Sequence, residues 1–130
     1  MKAASARVTC MTQVTAPRLG SLLLGTNRPA ELREWYRRVL APGQSGDGPI
    51  DLGGFLLVIQ PRDDIAAKNE QPGRVILNFH VDDFAAVEAR LRAAGVEWIA
   101  PAEERASGWF ATFADPDGNY LQIIKFHQAP

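Results

Sequence analysis

The chain repeats one structural theme, and that repetition constrains its fold more than any other feature. Residues 19–24 form a short apolar run, and Leu32, Trp35, Tyr36, Val39 and Leu40 follow at helical spacing. Residues 55–59 are apolar again. After a polar connection the order returns. Residues 75–81 read as a strand, and Phe84, Val87, Leu91 and Ala94 form a second helical stripe. Strand-like runs at 96–100, 109–113 and 120–126 complete the second half. A unit this small cannot bury its own sheet face, so two such units must share one core. The expected class is α+β: two βαβββ modules forming a curved, mostly antiparallel sheet, with helices outside and a concave cleft within. The domain is expected over 18–127, with modules at about 18–61 and 74–127, behind a flexible N-terminal tail at 1–17.

Punctuation residues support these elements. Thr26 and Asn27 offer oxygens for helix capping ahead of Pro29, and Pro42-Gly43 end that helix. The stretch 41–49 is rich in Gly, Pro and Ser and reads as loop with room for one short strand. Asp82 and Asp83 place negative charge at the start of the second helix, and Gly95 stands where a helix C-cap glycine belongs. Pro101 is expected to stop the strand before it. Asp115-Pro116-Asp117-Gly118-Asn119 is a dense turn signal.

Composition narrows the function classes. The 130 residues carry a formal net charge of -1, which speaks against a nucleic-acid or membrane-surface partner. No sustained apolar run opens the chain, so neither a signal peptide nor a membrane span is expected there. Cys10 is the one cysteine and cannot close an internal disulfide, which suits a reducing, cytoplasmic setting.

Three stretches carry a resemblance. They are residues 29–40 (PAELREWYRRVL), residues 79–83 (FHVDD) running into 91–96 (LRAAGV), and residues 113–122 (FADPDGNYLQ). In this order and spacing the chain resembles the glyoxalase/bleomycin-resistance/extradiol-dioxygenase superfamily, the vicinal oxygen chelate fold, over residues 19–126. In that superfamily's metalloenzymes a divalent metal inside the concave sheet acts as a Lewis acid on two substrate oxygens. By the same resemblance, single-chain members of this length commonly form homodimers.

The ligand positions implied by the resemblance are largely filled by other chemistry here. The first-strand position falls near Gly20 or Ser21, and the one opening the second module falls near Ile76. The position three residues after the turn asparagine holds Gln122, and the first module's last strand ends in Gln60. No metal or other cofactor is therefore expected, with a divalent ion as the weaker alternative.

If Ile76 points into the cleft, alternation brings Asn78 and His80 with it, and Gln122 shares its face with Tyr120 and Ile124. Asn78, His80, Trp109, Tyr120 and Gln122 are the expected ligand-binding residues. His80 is the one candidate for a catalytic role because its charge changes near neutral pH. The resemblance places Trp109, after Ser107-Gly108, at the pocket rim, where it would stack on a planar ligand or fill a gap. The remaining histidine, His127, is expected to lie at a frayed terminus. The leading expectation is a cytoplasmic homodimer binding a small molecule in a metal-free cleft. The alternatives are a metal-dependent isomerase, lyase or dioxygenase with a relocated site, and a non-catalytic interaction module.

Overall fold

The structure is a computed structural model in which residues 15–128 are described. Residues 1–14 of the expected tail, Cys10 among them, lie outside the described residues. The element order is β1 (Ser21–Thr26), α1 (Pro29–Leu40), β2 (Ile50–Asp51), β3 (Leu56–Pro61), β4 (Ile76–His80), α2 (Phe84–Ala93), β5 (Glu97–Arg105), β6 (Gly108–Ala114) and β7 (Tyr120–Phe126). One turn of 3-10 helix, Pro72–Arg74, precedes β4. No helix of the described residues is long and apolar enough to cross a membrane.

The strands form two mixed sheets, ordered β1-β3-β2 and β4-β7-β6-β5. In each module the first strand pairs in parallel with the last, β1 with β3 and β4 with β7. The other three pairings are antiparallel. Residues 41–49 carry no strand, so the first module has one strand fewer than the second. Its β2 is only two residues long, since a segment this rich in Gly, Pro and Ser offers few side chains to hold a pleated ladder.

One core serves both modules. α1 buries Leu32, Trp35, Tyr36 and Val39, the stripe expected from its spacing. These residues join Leu57 and Ile59 of β3, Leu91 of α2, Phe113 of β6, and Leu121 and Ile123 of β7 in a single cluster. Trp35 lies 6.4 Å from Phe113 between ring centroids, so the first helix packs on the second sheet as well as its own. The two helices also cap each other. Arg38 of α1 donates to the Ala94 carbonyl beyond α2, and Arg90 of α2 donates to the Val39 carbonyl of α1. Each guanidinium meets the negative end of the other helix, so the two modules are joined electrostatically as well as by packing.

Local chemistry differs from expectation at three points. The N-cap of α1 is Arg28, without a side-chain cap, and Thr26 accepts from the Arg28 amide instead of from the first helical turn. By contrast Asp83 caps α2 through the Ala86 amide, and Gly95 takes the left-handed φ of +77° that suits a glycine past a helix end. Pro101 does not stop β5, which continues to Arg105. β5 is the sheet edge, where a missing N–H costs no ladder hydrogen bond, and the register slips between Ala100 and Glu103. His127 is held rather than frayed: its amide donates to the Ser107 carbonyl and its ring lies 3.0 Å from the Glu104 carboxylate.

The Asp-Pro-Asp-Gly-Asn turn is more than a reversal between β6 and β7. Asp115, 3% exposed, accepts from the Asp117 amide, the Asn119 amide, the Asn119 side chain and the Tyr36 hydroxyl, the last at 2.6 Å. Arg28 at the start of α1 pairs with Asp117 at 2.9 Å and also reaches the Pro116 carbonyl. Lys68 donates to the same carbonyl, and Asn69 binds both Asp117 and Asn119. One turn thus ties together the first helix and the connection between modules.

Candidate binding face

Alternation along three strands decides which side chains meet. Leu77 and Phe79 of β4, Leu121 and Ile123 of β7, and Ala111 and Phe113 of β6 belong to the core or pack against it. Their neighbours in sequence therefore face the other way. On that second face Ile76 lies opposite Tyr120, Asn78 opposite Gln122 and His80 opposite Ile124. Tyr120, Gln122 and Ile124 lie in turn opposite Ala114, Thr112 and Phe110. The structure thus brings Asn78, His80, Tyr120 and Gln122 onto one face, in the register that alternation predicts.

Trp109 does not join them. It sits one residue out of phase, opposite Lys125, and its ring lies 6.1 Å from Phe84 at the start of α2. The side chain covers helix and sheet on the helix-bearing face. Of the two roles the sequence allowed it, this position matches gap filling.

The face is graded. Its middle row is neutral and hydrogen-bonding: Asn78, Gln122 and Thr112. The Gln122 amide nitrogen donates to the Thr112 hydroxyl at 3.1 Å, which fixes the side chain's orientation. Asn78 is exposed and makes no side-chain hydrogen bond among the described residues. The next rows are aromatic. His80 meets Phe126 edge-on at 5.3 Å, Phe126 meets Phe110 at 6.2 Å, and the Arg105 guanidinium lies 4.5 Å over the Phe110 ring. That chain of rings crosses from β4 to β5. Its polarity is closed at the far end, where Arg105 pairs with Glu103 at 3.3 Å.

Beside this face, along β4, runs a cavity of about 350 Å³. Leu22 of β1, Leu52 and Phe55 at the β2–β3 reversal, Leu57, Leu77 and Phe79 give it apolar walls, and Asn78 and His80 bring the polar groups. Its size and composition are those of a small-molecule site. A second, open cavity of about 520 Å³ lies between the connection 65–71 and β1, lined by Leu23, Leu24, Ile65 and Val75 together with Lys68, Asn69 and Arg74. The connection is also engaged with the Asp115–Asn119 turn through Lys68 and Asn69.

The side chains present do not fit a divalent ion at the family positions. Ser21 pairs with Leu56 and Gln60 with Gly25, so these two donors stand four residues apart along β1 and β3, about 13 Å. Ile76, 39% exposed, offers no donor atom, and Gln122, whose nitrogen donates to Thr112, has only a neutral amide oxygen to offer. Among the described residues no three His, Cys, Asp or Glu side chains converge. A hydroxyl and neutral amides are weak ligands where the chemistry calls for imidazole or carboxylate. His80 likewise lacks a hydrogen-bonded carboxylate or hydroxyl among the described residues, so no proton relay is assembled around it.

Sequence reading passed over Tyr36 as a plain core anchor. It is fully buried, and burial first, then the neighbouring Asp115 carboxylate, push its phenol well above the usual range. The signal available was an aromatic hydroxyl on a helix whose partner turn carried an unexplained surplus of acids.

Solved structures share this fold. A glyoxylase/bleomycin resistance protein/dioxygenase domain from Frankia sp. EAN1pec superposes with a TM-score of 0.67 at 22% identity, covering 87% of this chain and 100% of that one. TnmS3, an antibiotic binding protein from Streptomyces sp. CB03234, gives 0.66 at 20% identity, covering 86% and 98%. TioX from Micromonospora sp. ML1 gives 0.65 at 17% identity, covering 85% and 99%. At these identities the likeness speaks to the fold. No curated protein matches the chain. Residues 21–124, which span β1 almost to the end of β7, match the family described as the glyoxalase-like domain, and the chain belongs to that family.

Proposed function

We propose that this protein binds a small organic molecule on the sheet face of Asn78, His80, Tyr120 and Gln122, and that it does so without a metal. The observation that carries this reading is the convergence of neutral polar groups and aromatic rings on one face, beside an apolar cavity of about 350 Å³. The antibiotic-binding activity of the structural neighbour TnmS3 supports a sequestering role over a chemical one. The test is a thermal-shift screen of aromatic and glycopeptide compounds, bleomycin included. Stabilisation by at least one compound at micromolar concentration is expected, and a screen without any shift would end the reading. In parallel, protein incubated anaerobically with Ni²⁺, Zn²⁺, Mn²⁺ or Fe²⁺ and then desalted is expected to keep far less than one ion per chain. Retention of about one ion, lost on replacing His80 or Gln122, would restore the metalloenzyme alternative.

We also propose a cytoplasmic homodimer. Among the described residues β1 and β4 are sheet edges with unpaired backbone groups, and Leu23 (49% exposed), Leu56 and Ile76 leave apolar surface uncovered near them. A symmetric pair is the commonest assembly that covers such surface. Sedimentation equilibrium at micromolar concentration should return twice the chain mass of 14.2 kDa, and a monomer there would refute the proposal.

A further inference from the structure

We infer that the binding face selects an uncharged ligand with a flat ring system and a carboxamide-like edge; this rests on the face being the binding site. Two rows carry the inference. Asn78 offers an unengaged amide, a donor and an acceptor together. Gln122, its nitrogen held by Thr112, is left with its carbonyl oxygen to accept. A neutral group that both donates and accepts complements that pair; a hydrocarbon leaves it without partners. One row further along the strands, His80 and Phe110 flank Ile124 and present their rings, and Phe126 stands one row beyond them, 5.3 Å from His80 and 6.2 Å from Phe110 between ring centroids. Two residues of strand separate the rows, about 7 Å, which is the length of a fused bicyclic ring. A ligand of that length places its amide against Asn78 and Gln122 and its rings against the aromatic chain.

Charge decides against an anionic edge. Among the described residues the one guanidinium over this face, that of Arg105, is paired with Glu103 and lies over Phe110. Lys125 projects to the opposite face with Trp109. A carboxylate placed against the Asn78–Gln122 row would surrender its water without gaining a counter-charge and would meet the Gln122 carbonyl oxygen.

Three probes with one ring system separate the contributions: 2-naphthamide, 2-naphthoate and 2-methylnaphthalene. Their affinities would be measured by NMR titration of the full chain at about pH 8, above the ordinary imidazole range. The amide is expected to bind about tenfold more tightly than either of the others, the worth of one to two hydrogen bonds. Asn78→Leu with Gln122→Met should remove that preference, so that the amide binds no more tightly than methylnaphthalene, since both changes keep the heavy-atom shape of the side chain and take away its hydrogen-bonding groups. Asn78→Leu alone, at an exposed position, supplies the test should the double variant fail to fold. Equal binding of all three probes, or tighter binding of naphthoate, would overturn the selectivity and leave the binding face standing. Absence of binding by any probe, with chemical shifts on β4 and β7 unmoved, would overturn the face and the selectivity together.

Discussion

Replacing Asp115 with alanine should cost about 4 kcal/mol of folding stability, the largest single effect expected outside the hydrophobic core. The carboxylate is 3% exposed and accepts four hydrogen bonds, from two backbone amides, the Asn119 side chain and the Tyr36 hydroxyl. Its removal leaves a buried phenol and two turn amides unpaired, and each buried unsatisfied donor costs about 1–3 kcal/mol. Tyr36→Phe removes one partner and should cost about 2 kcal/mol, with the double variant costing clearly less than the sum because the two side chains share one hydrogen bond. Urea unfolding reads all three. A loss below about 1 kcal/mol for Asp115→Ala would mean that the turn holds itself through its own backbone.

The same pair gives stability a pH dependence of definite sign. The folded Tyr36 phenol is raised above its ordinary value by burial and by Asp115. Above about pH 10 the unfolded chain therefore loses this proton while the folded chain keeps it. The contribution is present in full below that pH and is lost as pH rises beyond it. Wild type should lose stability faster than Tyr36→Phe across the alkaline range, and parallel curves would show that the phenol is not perturbed.

Gln122→Trp should abolish ligand binding, by at least about a hundredfold, with little change in melting temperature. The residue stands at the centre of the face between Asn78 and Thr112, and its side chain belongs to no part of the core. An indole there covers the amide row and occupies the space over which a ligand must lie. Trp109→Ala is the matched control. It removes packing against Phe84 on the opposite face and should lower stability while affinity stays within about threefold. Loss of binding in Trp109→Ala with retention in Gln122→Trp would move the site to the helix-bearing side.

Alternation carried the candidate face from sequence to structure because β4, β6 and β7 are regular: one register assignment orients every residue in them. Tyr120–Phe126 was bounded correctly from its apolar run, and Gly95 and Asp83 carried the second helix's ends. Trp109 packs on Phe84, the gap-filling one of the two roles left open for it, because its phase in β6 sets it on the helix-bearing face. Pro101 misled because its effect depends on whether the strand is central or at an edge, and strand order is a tertiary property.

The sequence by itself determined that two small modules share one core, which face of each helix is buried, and which residues alternate together on β4 and β7. These follow from local periodicity, which each segment carries in its own side chains. Only the tertiary structure decided that Tyr36 meets Asp115, that Asp115–Asn119 ties α1 to the intermodule connection, that Trp109 packs on Phe84, and that His80, Phe126, Phe110 and Arg105 line up across four strands. Those contacts join residues far apart along the chain, and their partners are chosen by how sheets and helices pack, which no single segment encodes.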